Sequence, residues 1–285
     1  VSLSDNAVIP VLFLNTLFSS LLFLPFIILS DSTTYLDDTI FHVSTAGWEA
    51  HKFIVLKSFM VLGSWVCGYF AMKHLPLTIV GPINATRPIL VLVGAMLVFG
   101  ETLNLYQWVG VLLAITSFFL LSRTGKKEGI DFKHNLWIVF LVISAILGAV
   151  SGLYDKFLMM PRSAGGLGLN QMMVQSWYNV YQCGLMGVML MLLWLPTRKR
   201  TTTFQWRWTI LGISIFLCMA DFVYFYALSQ PEALIAVVSM VRRGSVIVSF
   251  LFGIFLFQEK NIKGKAIDLL LVLLGLIFLY IGSRV

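Results

Sequence analysis

Charged side chains are scarce in this sequence of 285 residues: aspartate, glutamate, lysine and arginine together account for 12% of it. Soluble domains carry about 25% charged residues, so roughly half of the usual charge is missing. Hydrophobic residues account for 59%. This balance excludes a disordered chain, a small disulfide-stabilised scaffold and a soluble nucleic-acid-binding protein. It predicts an integral membrane protein that lies in a lipid bilayer and has no nucleic acid partner.

Cysteine and histidine are also rare. Cys67, Cys183 and Cys218 fall inside apolar stretches, where a free cysteine usually behaves as a small buried hydrophobe. The four histidines lie at unrelated spacings near the ends of such stretches. We therefore predict no disulfide, no metal site and no cofactor. The sequence also lacks a phosphate-binding loop and a catalytic constellation, which predicts that the protein is not an enzyme and does not use ATP directly.

Nine apolar stretches are long enough to cross the hydrocarbon core of a bilayer, which takes about 20 helical residues. They lack the alternation that is typical of barrel strands, so we predict helices. The nine predicted spans are Val8–Leu29, Phe53–Met72, Leu77–Phe99, Leu105–Leu121, Leu136–Leu158, Met172–Leu195, Trp208–Leu228, Ala233–Phe257 and Ile262–Ile281. The predicted fold class is an all-α integral membrane protein.

Basic residues are concentrated in every second loop. They cluster at residues 123–133, 198–207 and 260–265, while the loops between these clusters carry mainly acidic residues. Because lysine and arginine are enriched in cytoplasmic loops, we predict that these three loops face the cytoplasm. The expected location is a membrane of the bacterial inner (plasma) membrane type.

An internal repeat relates the two halves of the chain. Pro76 and Arg87 are 11 residues apart, and so are Pro231 and Arg242. In both halves the following span ends at a glutamate, and a short polar turn and a last apolar helix come next. We predict an N-terminal repeat of four visible helices at residues 1–123 and a C-terminal repeat of five helices at residues 135–285. Two copies of a five-helix unit have opposite orientations, as in secondary transporters built from inverted repeats.

The end of the third span carries a motif that resembles a known family. Gly100 and Glu101 are followed by Gln107, Trp108 and Gly110, a run similar to the EamA type of the drug/metabolite transporter superfamily. The resemblance implies ten helices in two inverted five-helix repeats around a central substrate cavity. It also implies transport of small metabolites, amino acids, sugars, nucleotide-linked sugars or drugs.

The N-terminal repeat has no counterpart of the span Leu136–Leu158, and the sequence begins with valine. We therefore expect one more membrane helix upstream of Val1. The genomic DNA upstream of Val1 tests this expectation. An immediate in-frame stop codon, with no hydrophobic run of about 20 residues before Val1, would contradict it.

Ionisable residues deep inside spans are costly and usually functional. Arg87 and Arg242 occupy matching positions in the two repeats, Arg243 is adjacent to Arg242, and Asp221 lies inside the preceding span. We predict that Arg87 and Arg242 bind the anionic group of a substrate, because guanidinium stays charged and can pair with a carboxylate or phosphate. Arg243 and Asn84 are further substrate-binding candidates. Asp221 is either a coupling group or a permanent partner of Arg242 or Arg243. We expect Asp221 and Arg242 to lie within pairing distance or to share one water-filled cavity.

Charged residues closer to the span ends are weaker candidates. Asp155 and Lys156 form either an interfacial pair or a gating and coupling element, and Asp268 lies near the start of the last span. Lys57 is expected to extend its ammonium group from the helix end into the interface.

Three aromatic residues complete the candidate site. Trp177 and Tyr181 are four residues apart and share a helix face, and Tyr224 lies one turn from Asp221. They could stack on a substrate ring, although helix packing is the simpler interpretation for each residue alone.

The leading function is a secondary transporter for a small anionic or zwitterionic metabolite, which is proton-coupled or works by exchange, as a monomer or homodimer. The alternative is a flippase or exporter for lipid-linked sugars or drugs on the same scaffold.

Overall fold

The computed structural model describes residues 6–76, 79–80, 83–84, 86–99, 104–127, 134–230, 235, 238–239, 242 and 262–282. Across these ranges the regular structure is helical, without a strand. The eight α-helices are α1 (Val8–Ser32), α2 (Trp48–His74), α3 (Arg87–Phe99), α4 (Leu105–Lys127), α5 (Leu136–Met159), α6 (Gln171–Met189), α7 (Thr209–Leu228) and α8 (Ile262–Gly282). A 3₁₀ turn covers Arg162–Ala164, and a π-helical turn at Leu190–Trp194 follows α6.

Four of these helices, α1, α2, α5 and α7, are long and apolar enough to cross a membrane. Shorter apolar helical segments occur at Ile89–Val98 and Leu269–Gly282. Eight of the nine predicted spans correspond to a helix, and most of the ninth, Ala233–Phe257, lies outside the described residues. For the described residues the all-α class is therefore confirmed, with four helices that could cross a membrane. The nine-span count and the inverted repeats stay predictions.

Side-chain caps define the start of two helices. Before α4, the amide of Gln107 donates to Asn104 Oδ1, and the amide of Asn104 donates to Gln107 Oε1, each at 3.0 Å. This reciprocal arrangement is a capping box, which satisfies backbone donors that a helix N-terminus leaves free. Before α6, Asn170 accepts from the amide of Met173 at 3.0 Å. Gln107, part of the family-like motif, therefore has a local structural role.

The chain divides into two compact units that do not follow the predicted repeats. Unit 1 comprises Val1–Val66 and Tyr154–Pro231, and unit 2 comprises Cys67–Leu153 and Glu232–Val285. Helices α2 and α5 each contribute one end to either unit. The predicted repeat boundaries, 1–123 and 135–285, stay a prediction.

In unit 1, α1 packs against α6 and α7. Asn6, before α1, donates to the carbonyl of Gln205, before α7, at 2.7 Å, and its Oδ1 accepts from the amide of Gln205 at 2.8 Å. The starts of α1 and α7 therefore lie at the same end of the unit. This agrees with the alternation of loops that the basic residues predict.

In unit 2, α4 packs closely against α8. A Cβ atom on Gly110 of α4 would lie 2.7 Å from the carbonyl oxygen of Gly275 on α8. The side-chain amide of Asn104 also donates to the carbonyl of Gly282 at the end of α8, at 2.5 Å. Glycine therefore allows the two backbones to approach, as small residues do at contacts between membrane helices.

Candidate functional site

Unit 1 contains a buried ion pair. Lys57 on α2 donates from its ammonium group to Asp155 Oδ1 on α5, and the two residues are 2% and 4% exposed. Both charges therefore lie inside the packed helices, where removing two ions from water is costly unless they are paired. Removing either member of the pair should therefore destabilise the contact between α2 and α5.

The expectation that Lys57 reaches the membrane interface is wrong. Helix α2 begins at Trp48, five residues before the predicted start at Phe53. Lys57 consequently lies nine residues into the helix, about 13 Å from its beginning at a rise of 1.5 Å per residue. A lysine side chain does not cover that distance, so Lys57 pairs with Asp155 inside the protein.

Aromatic side chains from α6 and α7 surround this pair. The Lys57 ammonium lies 4.9 Å from the ring centroid of Tyr178 and 4.9 Å from that of Phe225, within the range of cation–π attraction. The hydroxyl of Tyr224 donates to Asp155 Oδ2 at 3.3 Å. The lysine therefore contacts a carboxylate and two ring systems, and Asp155 accepts from two helices.

Asp221 belongs to the same network. The hydroxyl of Tyr178 donates to Asp221 Oδ2 at 2.8 Å, and Asp221 is 5% exposed. Tyr178 thus contacts Asp221 with its hydroxyl and Lys57 with its ring. Arg242 lies in unit 2, so its pairing with Asp221, and a shared cavity, stay predictions.

For the adjacent residues Asp155 and Lys156, the sequence predicts either an interfacial pair or a gating and coupling element. The buried position of Asp155 argues against an interfacial group, since its carboxylate pairs with Lys57 on another helix. Asp155 and Asp221, which were predicted together as coupling or ion-pair residues, lie in one network with Tyr224. Sequence reasoning missed Lys57 because its depth depends on where α2 begins.

The aromatic candidates Trp177 and Tyr181 lie beside this network in α6. The hydroxyl of Tyr181 is 2.9 Å from His51 Nδ1, and the imidazole lies edge-on to Trp177 at a centroid distance of 4.8 Å. The two residues share a helix face, as expected, and contact the first turn of α2. Their role in substrate binding stays a prediction.

Unit 2 contains the arginine of the candidate anion site. Arg87, the first residue of α3, donates from Nη2 to the hydroxyl of Ser144 at 2.9 Å. A Cβ on Gly148 would lie 2.7 Å from Nη1 and 2.9 Å from the guanidinium carbon. The guanidinium therefore packs against α5 at a position that only glycine leaves open.

Arg87 retains unused binding capacity. Its Nε is buried without a hydrogen-bond partner, and so is Oδ1 of Asn84, three residues earlier. Within the described ranges no ion pair involves Arg87, whereas Arg242 is close enough to act on it electrostatically. The charges of two predicted substrate-binding arginines therefore act on each other. A cation beside a second cation is an arrangement suited to an anionic group.

Two of the predicted site residues cannot be placed in full. Arg243 lies outside the described residues, and nothing is described of the Asp268 side chain. The cysteines Cys67, Cys183 and Cys218 are free. Among the residues that the structure covers, no group of three or more histidine, cysteine, aspartate or glutamate side chains could hold a metal ion.

Sequence reasoning also missed a set of uncharged polar side chains inside unit 1. Asn15, Gln175, Ser176 and Gln182 are at most 1% exposed, and each has a buried atom without a hydrogen-bond partner. The available signal is the presence of amide residues within apolar spans, with Gln175 and Gln182 seven residues apart on one helix face.

The N-terminal part of the chain is similar to a known family of proteins. Residues 2–123 match the model of the EamA-like transporter family, part of the drug/metabolite transporter superfamily. The resemblance inferred from the sequence is therefore confirmed over that part of the chain. The match covers less than half of the chain, and together with the apolar helices it supports an integral membrane protein.

No curated protein matches the chain. A solved structure described only as the crystal structure of a protein is similar, with 13% identity and a TM-score of 0.64. The match covers 97% of this chain and 88% of that one. At this identity the likeness concerns the fold alone.

Proposed function

We propose that this EamA-like membrane protein is a secondary transporter for a small anionic or zwitterionic metabolite, and that Arg87 binds the anionic group. The observation that carries the proposal is the guanidinium of Arg87, held against Ser144 and Gly148 with its Nε unpartnered. A buried guanidinium retains its charge and can form two parallel hydrogen bonds with a carboxylate or phosphate. Arg242 adds positive potential, and Asn84 supplies an acceptor for a donor group on the substrate.

Transport against a gradient requires an energy source, and we propose coupling to protons through Asp155. Its carboxylate is held between the ammonium of Lys57 and the hydroxyl of Tyr224. Protonation would remove the charge that attracts Lys57 and thereby weaken the contact between α2 and α5. Asp221 is the second candidate, and Lys156 and Asp268 stay coupling candidates on sequence grounds. Exchange of two metabolites is the alternative mode.

The first experiment identifies the anion. Purified protein is screened for thermal stabilisation by inorganic phosphate, phosphate esters, mono- and dicarboxylates and amino acids, each beside an uncharged analogue. We expect stabilisation by one class of anion in the wild type. Arg87→Gln should abolish it, and Arg198→Gln, an exposed arginine outside the predicted spans, should not.

The second experiment measures transport of the stabilising compound into proteoliposomes, with and without a pH gradient. We expect uptake by the wild type and loss of uptake by Arg87→Gln at unchanged folded yield. Arg87→Lys should recover little of it, because an ammonium lacks the planar fork of the guanidinium. Normal uptake by Arg87→Gln would show that this arginine is structural.

A further inference from the structure

Six buried polar atoms on α1 and α6 of unit 1 have no hydrogen-bond partner. They are Nδ2 and Oδ1 of Asn15, Oε1 of Gln175, Oγ of Ser176, and Nε2 and Oε1 of Gln182. A polar group that is taken out of water without a partner costs free energy. In a membrane the surrounding lipid offers no replacement. Six unpartnered polar atoms within two helices therefore need a physical explanation.

The register of α1 and α6 places Asn15 and Gln182 at similar depth along the helix axes. The ring of Phe13, near the start of α1, lies 3.5 Å from the Cβ position of Gly187, near the end of α6. Asn15 follows Phe13 by two residues, and Gln182 precedes Gly187 by five. In an antiparallel pair with a rise of 1.5 Å per residue, the two amides are separated by about 5 Å along the axis, less than one helical turn.

Other contacts fix the walls around these amides. The hydroxyl of Ser19, one turn beyond Asn15, hydrogen-bonds with Cys218 on α7. Nε2 of Gln175 donates to the carbonyl of Cys218 at 3.2 Å, while its Oε1 has no partner. Helices α1 and α6 therefore both contact α7 at Cys218, through Ser19 and Gln175.

We propose that Asn15 and Gln182, with Gln175 and Ser176, form a binding site for the uncharged polar part of a transported solute. Hydroxyl groups fit best, because a hydroxyl can donate a hydrogen bond to an amide oxygen and accept one from an amide nitrogen. The inference rests on the proposed transport function, which supplies the solute, but it does not depend on the role of Arg87.

The competing explanation is structural. Rotation of the two amides could join Asn15 and Gln182 in an interhelical hydrogen bond, a common means of association between membrane helices. The two explanations differ in two measurable properties. A solute site is accessible to hydrophilic molecules, and its polar groups do not contribute to stability when the site is empty.

Access is measured by cysteine labelling with 2-hydroxyethyl methanethiosulfonate, a small uncharged reagent that carries a hydroxyl. Cys67, Cys183 and Cys218 are replaced by alanine, and Asn15→Cys, Gln182→Cys and Leu12→Cys are introduced singly. Leu12 is the matched control, since it is 0% exposed and lies on the same buried face of α1. We expect labelling at 15 and 182 at least tenfold faster than at 12. Equal rates at all three positions would overturn the proposal.

Stability is measured in the wild-type background, which keeps the test valid if the cysteine-free protein does not fold. Asn15→Leu combined with Gln182→Leu should leave the melting temperature unchanged or raise it, because unpaired polar groups are removed. A lower melting temperature would establish the interhelical bond and overturn the proposal. Labelling repeated in Arg87→Gln should be unchanged, so failure of the anion site does not affect this result.

Discussion

The two units bury charge in different ways. In unit 1, Lys57 pairs with Asp155, and the pair contacts one tyrosine hydroxyl and two aromatic rings. Unit 2 holds Arg87 on a serine and a glycine, beside Arg242 and with Nε unpartnered. Removing one member of a buried pair leaves the other charge uncompensated and destabilises the fold. A charge with unused donors is available to a ligand, so we expect substitution of these charged residues to affect folding in unit 1 and anion binding in unit 2.

The largest effect is expected from Lys57→Met, which leaves the Asp155 carboxylate without its ammonium partner. Breaking a buried pair from one side typically costs about 3–5 kcal/mol of unfolding free energy. Unfolding in detergent measures the loss. The control is Lys52→Met, whose partner Glu49 is on the surface and whose removal should cost about 0–1 kcal/mol. Equal effects of the two substitutions would show that the buried pair does not stabilise unit 1.

A smaller loss is expected from Tyr178→Phe, which removes the hydroxyl that donates to Asp221 and keeps the ring beside Lys57. A hydrogen bond to a charged group contributes about 1.5–3 kcal/mol. The matched substitution is Tyr226→Phe, since Tyr226 is 41% exposed and its loss should be close to zero. Thermal unfolding of both variants distinguishes a network centred on Asp221 from simple aromatic packing.

The two units also differ in how closely their helices approach, and glycine substitution tests this difference. Gly110→Ala in unit 2 places a methyl group against the carbonyl of Gly275 and should destabilise by about 1–3 kcal/mol. Gly212→Ala in unit 1 has no atom within 4 Å of its new methyl and should stabilise by up to about 1 kcal/mol. Melting temperatures that shift in the same direction would contradict the close α4–α8 contact.

The smallest effect is expected from Gly148→Ala, whose methyl group displaces the guanidinium of Arg87. We expect about a tenfold weaker affinity for the anion found by the screen, equivalent to about 1.4 kcal/mol. Gly184→Ala, with nothing within 4 Å of its Cβ, is the control. Unchanged affinity in Gly148→Ala would show that the contact of the Arg87 guanidinium with Gly148 does not position Arg87 for binding.

Much of the helical framework could be predicted from the sequence. The predicted spans Leu136–Leu158 and Trp208–Leu228 agree with α5 and α7 to within one residue at each end, because long apolar runs admit one structure in a bilayer. Arg87, Asp155 and Asp221 could be selected as well, since a charge in such a run is conspicuous. The start of α2 was harder to predict from the sequence, because its first turns contain Glu49 and Lys52 and are not apolar.

The sequence by itself determined that the protein lies in a membrane, where its helices are and which charged residues fall within apolar spans. These properties follow from local hydropathy. Only the tertiary structure decided that Lys57 pairs with Asp155, 98 residues away, and that Gly148 receives the guanidinium of Arg87. It also decided that amide atoms of Asn15, Gln175 and Gln182 are buried without a hydrogen-bond partner. These facts depend on which helix faces pack together and in which register. Packing partners and register are non-local properties that hydropathy does not encode.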